Sequence, residues 1–108
     1  MAISHAQSGE VIDIRPLGAA LAQARTSTLV KTTMLEIIRL VIPAGKDIPG
    51  HKAPGEITVQ CLEGRVTFMI GSTKRDLKGG DLLYLSSGET HSLHGIEDSS
   101  VLVTILLH

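Results

Sequence analysis

Apolar and polar side chains alternate along most of this chain with a period of two residues. This period places successive side chains on opposite faces of an extended strand, so it predicts a series of short β-strands. The alternation predicts strands at residues 10–14, 28–31, 35–43, 57–62, 65–70, 73–77, 81–85, 90–96 and 100–107.

Glycine-containing turns separate several of these strands. Gly71-Ser72 places a glycine at the first central position of a two-residue hairpin, where the backbone needs a positive φ. Residues 78–81 also form a turn sequence. One short helix is predicted at 17–25, which is rich in alanine and follows Pro16. Many short strands with glycine turns favour an all-β sandwich or barrel.

The length and composition predict one globular domain. A chain of 108 residues suits a single domain over 1–108, and its 43% hydrophobic content is too high for a disordered protein. We expect residues 1–9 to be a flexible N-terminus. Ten basic and eleven acidic residues give a net charge of −1, without the basic surface that nucleic-acid binding requires. The sequence therefore predicts no nucleic-acid partner.

Two features of the sequence favour a particular cellular compartment. Cys61 has no second cysteine in the chain to pair with, which favours a reducing compartment. The first residues lack the pattern of a signal peptide, and no apolar run approaches the length of a membrane span. We expect a cytoplasmic protein without a membrane partner.

The segment from Gly45 to Gly64 resembles the first motif of the cupin family. That motif has a glycine, five residues, His-x-His, then a glutamate and a closing glycine, and here the two end glycines and His51 are in register. Two positions depart from it. Ala53 stands at the second histidine position, and Ile57 stands at the glutamate position.

The segment that begins at Gly80 resembles the second cupin motif. Gly80, Gly88 and His91 match it, whereas Ser86 replaces a proline and Gly95 replaces an asparagine. By this resemblance the chain is similar to small single-domain, RmlC-like cupins with degenerate metal-binding motifs. The resemblance implies a double-stranded β-helix, a jelly-roll-like antiparallel barrel, to which the pattern adds one short N-terminal helix.

The resemblance also implies a metal site in the barrel. In cupins, two histidines and a glutamate of the first motif and one histidine of the second hold a divalent metal such as Fe, Mn, Ni, Cu or Zn. Only His51 and His91 remain here, and two neutral imidazoles without an anionic ligand bind a metal weakly. The cofactor is therefore one weakly held divalent transition metal or none. The alternative is that both histidines are structural.

Strand parity predicts a pocket with apolar walls beside the two histidines. Ile57, Val59 and Cys61 share the inward face of their strand, and Phe68 continues an apolar face after the next turn. The predicted pocket consists of His51, Ile57, Val59, Cys61, Phe68, His91 and Leu93. Such walls suit a small, partly apolar ligand with one or two hydrogen-bonding atoms.

The sequence argues against a role in this pocket for two other polar residues, and against a catalytic role for the cysteine. Glu56 replaces the missing carboxylate only if a bulge reverses its face, which strand alternation disfavours. His94 is three residues from His91 and is predicted to face the other way. Cys61 has no predicted charged neighbour, so a buried hydrophobe is favoured over a nucleophile.

Two functions fit these features. One is a cupin that binds a small molecule without turnover. The other is a mononuclear metal-dependent enzyme of the oxygenase or isomerase type with His51 and His91 as ligands, or a metal-free enzyme that uses one histidine as general acid or base. The sequence leaves open whether the protein is an enzyme. Apolar residues at 11–14 and on both faces of 35–43 further predict a homodimer.

Overall fold

The computed structural model describes residues 5–108, which form nine β-strands and one short 3-10 helix at Gly18–Gln23. The strands are β1 (Ser27–Lys31), β2 (Leu35–Ile42), β3 (Asp47–His51), β4 (Ile57–Glu63), β5 (Arg65–Ile70), β6 (Thr73–Lys78), β7 (Leu82–Leu85), β8 (His91–Gly95) and β9 (Ser99–Leu106). The predicted all-β class with one short N-terminal helix is confirmed.

The strands form two antiparallel sheets that face each other. One has five strands in the order β1-β2-β9-β4-β7, and the other has four in the order β3-β8-β5-β6. The β5–β6 hairpin turns at Gly71, whose φ of 59° is the positive value predicted for this position. Many neighbouring strands are distant in sequence, as in a jelly roll.

The core lies between the two sheets. Its largest fully buried hydrophobic side chains are Phe68, Ile42, Val59, Val66 and Val101, none more than 1% exposed. They come from both sheets and alternate with outward-facing residues, as in other sandwiches. Burying each such side chain contributes about 1.5–3 kcal/mol, so this layer is the main source of stability.

Two predicted elements differ from the structure, and one strand of the structure was not predicted. Residues 10–14 do not form a strand, because the carbonyl of Asp13 accepts a hydrogen bond from the Arg39 guanidinium and not from a strand partner. The helix predicted at 17–25 is shorter and is a 3-10 helix, since Gly18 has a φ of 59° and the chain is extended again at Ala24. Strand β3 was not predicted, because Pro49 and Gly50 resemble a turn; proline is tolerated there since β3 is an edge strand.

The N-terminal segment contacts β1. The amide of Ala6 donates a hydrogen bond to the carbonyl of Leu29 at 2.8 Å. Residues 1–4 lie outside the described residues, and the flexibility expected for 1–9 stays a prediction. Within residues 5–108, no helix has the length and apolar character needed to cross a membrane.

Candidate functional site

The two motif histidines lie side by side where β3 ends and β8 begins. His51 is directly opposite His91 in the ladder, and a bulge separates this pair from the next one, Ile48 and Leu93. The ring centroids are 4.3 Å apart and the ring planes make an angle of 63°. The two rings are thus close enough for a single atom to contact both, as the two motifs imply.

Both imidazoles are oriented by backbone carbonyls. His51 Nδ1 lies 3.0 Å from the carbonyl oxygen of Pro49, and His91 Nδ1 lies 3.0 Å from that of Glu89. Because a carbonyl oxygen can only accept, each Nδ1 must carry the proton. In the neutral ring, Nε2 is then an unprotonated acceptor, the form in which imidazole binds metals or hydrogen-bond donors.

The histidines line a cavity of about 100 Å³ between the sheets. Its other walls are aliphatic or aromatic and come from both sheets. The lining residues are Ile38, Leu40, Ile48, His51, Ile57, Val59, Phe68, His91, Leu93, Val103 and Ile105. Nine of these eleven side chains are apolar, so the two imidazoles are the polar groups that a molecule in this cavity meets.

A second, outer cavity of about 140 Å³ adjoins the first. The two cavities share the histidines, Ile57 and two residues of β9, and the outer one adds charged side chains from Glu36 and Lys52. Glu36 is 21% exposed and accepts a hydrogen bond from Lys31 Nζ at 3.2 Å. The site therefore consists of an apolar interior, a pair of imidazoles and a charged mouth.

The two histidines differ in their surroundings. His91 is 4% exposed and its ring stacks on Phe68, with centroids 5.4 Å apart and planes 10° from parallel. Burial lowers the pKa of His91, and His51 lowers it further, against the opposing effect of the hydrogen bond to Glu89. His51 is exposed. His91 is therefore the packed member of the pair and His51 is its accessible partner.

Residues 38–107 match the cupin domain family. The chain belongs to this family. No curated protein matches the chain. The family match covers most of the described strands and includes both histidine-bearing motifs.

Several solved structures of other proteins have a similar fold. A conserved protein of unknown function from Streptococcus pyogenes is 22% identical with a TM-score of 0.77, covering 100% of this chain and 96% of its own. A cupin superfamily protein from Desulfitobacterium hafniense is 20% identical with a TM-score of 0.79, covering 95% and 100%. A predicted oxalate decarboxylase from Thermotoga maritima is 25% identical with a TM-score of 0.69, covering 77% and 79%. These similarities support the double-stranded β-helix fold.

The donor set of this cupin falls short of the metal site that its family implies. Ile57, at the position of the motif glutamate, is buried and lines the cavity. Among residues 5–108, no three histidine, cysteine, aspartate or glutamate side chains are grouped so that they could hold a metal. The two imidazoles alone do not complete the coordination of a metal ion.

Glu56 and His94 point away from the cavity. Tyr84 donates a hydrogen bond from its hydroxyl to Glu56 Oε2 at 2.5 Å, and Tyr84 alternates with the core residues Leu83 and Leu85, so both side chains are on the outer face. His94 pairs with Asp47 on the outer face of the smaller sheet. Neither residue replaces the missing ligands, as strand alternation predicts.

Cys61 is the one residue of the predicted pocket that does not line the cavity. It is fully buried, and its thiol lies 3.5 Å from the carbonyl oxygen of Glu63. Burial raises the pKa of this thiol, which disfavours the thiolate. The other six predicted residues line the cavity together. Ligand binding and metal binding by these residues stay predictions.

Sequence reasoning missed the cavity residues of β2 and β9. Leu35–Ile42 is apolar on both faces, so alternation alone does not indicate which face is inward. Ile38 and Leu40 line the inner cavity, and Glu36, two residues earlier on the same face, lines its mouth. Because Glu36 and Arg39 place one charge on each face of this strand, the sequence carries no signal that separates the inward face from the outward one.

Proposed function

We propose that this cupin binds a small, partly apolar molecule in the barrel cavity beside His51 and His91. The observation that carries the proposal is the composition of the cavity wall, in which nine apolar side chains surround two imidazoles with unprotonated Nε2 atoms. Sites of this kind, with apolar walls and a few placed polar groups, are typical of small-molecule pockets.

The volume limits the size of the ligand. The inner cavity measures about 100 Å³. An engineered apolar cavity of about 150 Å³ remains dry and binds benzene or xenon. A molecule of a few non-hydrogen atoms fits the interior, and a larger one extends into the outer cavity of about 140 Å³.

Xenon binding tests this proposal without any assumption about the polar part of the ligand. We expect xenon pressure to shift the methyl NMR signals of Ile38, Leu93 and Val103, which line the cavity. The variant Val103→Met extends a longer side chain into this space and should weaken xenon binding at least about fivefold. Val101→Met is the matched control, because Val101 is on the same strand and lies outside the cavity wall.

The control separates cavity filling from general strain. Both variants overpack the core, so thermal unfolding is measured for each of them to establish that the fold persists. Equal xenon affinity of Val103→Met and the parent chain, with both folded, would contradict the proposal. Methyl shifts confined to residues outside the cavity would contradict it as well.

A metal-dependent enzyme of the oxygenase or isomerase type is the second candidate. The two Nε2 acceptors on rings 4.3 Å apart favour it, as does the similarity to the Thermotoga maritima protein described as a predicted oxalate decarboxylase. A resident metal would have His51 and His91 as its protein ligands. Elemental analysis of protein purified without an affinity tag, compared with His51→Ala, tests it: a stoichiometric metal that the variant loses is the supporting result.

We also propose that the protein forms a homodimer through the outer face of the five-stranded sheet. Leu82, Tyr84 and Leu106 are 66%, 60% and 40% exposed there. Exposed apolar residues grouped on one sheet face are typical of interfaces. Light scattering that shows a monomer mass at all micromolar concentrations would contradict this proposal. Leu82→Lys should shift a dimer towards monomer.

A further inference from the structure

We infer that the cavity selects a neutral aliphatic ligand with a hydroxyl group and rejects the carboxylate of the same carbon skeleton. This inference rests on the proposed function and adds the chemical class of the ligand to it. It follows from the direction of the hydrogen bonds that the two histidines already make.

The two imidazoles have no ring proton to donate to a ligand when they are neutral. A neutral imidazole carries one N–H, and in both rings this proton lies on Nδ1, where it is donated to the carbonyl of Pro49 or Glu89. Each Nε2 therefore offers a lone pair. Across the described chain, neither Nε2 accepts a hydrogen bond from a protein group, so both lone pairs stay available to a ligand.

Within residues 5–108, the inner wall offers no other side chain that can donate a hydrogen bond. Among the described residues that line the inner cavity, every side chain other than the two histidines is apolar. A carboxylate at this depth would face two lone pairs without a hydrogen bond, and burying an unpaired charge is strongly unfavourable. A hydroxyl group donates to one Nε2 and leaves no charge in the cavity.

The charged side chains near the cavity lie at its mouth. Lys52 is the one lysine or arginine among the described residues that line the outer cavity. It shares this cavity with Glu36, which repels anions and is itself paired with Lys31. In the described chain, the mouth therefore lacks a set of groups that would bind a carboxylate strongly. Lys52 is exposed, and ion pairs of exposed side chains contribute little.

The experiment compares two probes with one carbon skeleton, 2-methylpropan-1-ol and 2-methylpropanoate, at about pH 8, where histidine is ordinarily neutral. Affinities are measured from methyl NMR shifts. We expect the alcohol to bind at least about tenfold more tightly than the carboxylate, because one satisfied hydrogen bond and one buried unpaired charge separate them. His91→Leu removes one acceptor and should reduce this preference several-fold.

His94→Leu is the matched control, because it makes the same change at a histidine on the outer sheet face. It should leave the preference of the parent protein unchanged. ¹⁵N NMR of the imidazoles gives a readout independent of any ligand. The inference requires that both Nε2 atoms be unprotonated in the free protein.

Four results would overturn the inference. The first is a carboxylate that binds as tightly as the alcohol. The second is carboxylate binding that Lys52→Met abolishes, which would place the charged group at the mouth. The third is a proton on Nε2 of either histidine, and the fourth is an unchanged preference in His91→Leu. Xenon binding distinguishes these from failure of the proposed function: if xenon also fails to bind, the cavity is not a binding site at all.

Discussion

Two polar clusters of this cupin, one around Glu63 and the other at the histidine pair, use their hydrogen-bonding groups in opposite ways. Glu63, at the end of β4, accepts hydrogen bonds from the amides of Leu17 and Gly18 at 2.9 and 3.1 Å, and from the hydroxyl of Ser100 at 2.5 Å. Its carboxylate thereby joins the start of the 3-10 helix to β4 and β9. Each of its two oxygens has a partner within the chain.

The histidine pair satisfies only half of its ring nitrogens within the described chain. The two Nδ1 atoms are bound to carbonyls at 3.0 Å, and the two Nε2 atoms are left as acceptors at the wall of a cavity. Among residues 5–108, no buried side-chain nitrogen or oxygen lacks a hydrogen-bond partner, so the unpaired Nε2 of His91 is accessible, as is that of the exposed His51. The Glu63 cluster therefore holds the structure together, whereas the histidine pair is available for ligand binding.

Glu63→Ala should produce the largest loss of stability. It leaves the Ser100 hydroxyl and two helix amides without their acceptor, and removes the negative charge near Arg39, which is 6% exposed. We expect the free energy of unfolding to fall by about 3 kcal/mol, measured by urea denaturation. Glu97→Ala, an exposed carboxylate without these bonds, is the control and should change little. A loss below about 0.5 kcal/mol would mean that the cluster is not structural.

Substitutions of the two histidines should differ in their effect on stability but both weaken ligand binding. His91→Ala removes a packed ring from its stack on Phe68 and should cost about 2 kcal/mol in unfolding free energy. His51→Ala removes an exposed ring and should cost less than about 0.5 kcal/mol. Either substitution should weaken binding of 2-methylpropan-1-ol. Equal losses of unfolding free energy in the two variants would show that the difference in burial between the two rings does not affect stability.

Strand alternation predicted the all-β class, whereas the cupin fold and the approach of the two histidines were implied by the resemblance of two motifs to the family. Parity correctly predicted that Ile57 and Val59 face inward. Parity does not specify whether a residue on the inward face lies beside the cavity or further along the strand. Cys61 shares their face, but it lies near the far end of β4, next to a bulge before Glu63, and so it misses the cavity.

The partners of Glu63 were beyond sequence reasoning for a different reason. Leu17 lies 46 residues earlier and Ser100 lies 37 residues later in the chain. These contacts depend on how the N-terminal segment crosses the outer face of the sheet, which alternation within one strand does not specify. The orientation of β2 was not predicted because this strand is apolar on both faces.

Acid should affect the two clusters in separate pH ranges. The pKa of His91 is lowered mainly by burial, so the unfolded chain binds a proton more readily, and stability is lost as pH falls below the ordinary value of 6.5. For Glu63, burial raises the pKa, but the hydrogen bonds from Leu17, Ser100 and Gly18 outweigh it and the pKa is lowered. Its contribution is present above 4.5 and is lost as pH falls further.

Urea denaturation across this pH range, for the parent chain and two variants, checks both assignments. His91→Gln should remove the loss of stability that begins near 6.5, and Glu63→Gln should reduce the loss that begins below 4.5. Both effects should be smaller than the loss in Glu63→Ala, because they reflect protonation and not removal of the side chain. A parent chain that gains stability as pH falls from 6.5 would contradict the assignment for His91.

Cys61 should behave as part of the structural cluster and not of the binding site. Its thiol contacts the carbonyl oxygens of Glu63 and Gly64 at 3.5 and 3.8 Å, it is fully buried, and burial raises its pKa. An impermeant thiol reagent near neutral pH should label the native protein far more slowly than the urea-unfolded chain, because the thiolate is both rare and inaccessible. Adding 2-methylpropan-1-ol should leave the labelling rate nearly unchanged, and Cys61→Ala should lower stability without changing the alcohol affinity. Rapid labelling of the native thiol, or protection by the alcohol, would show that Cys61 belongs with the histidines and would remove the distinction between the two clusters.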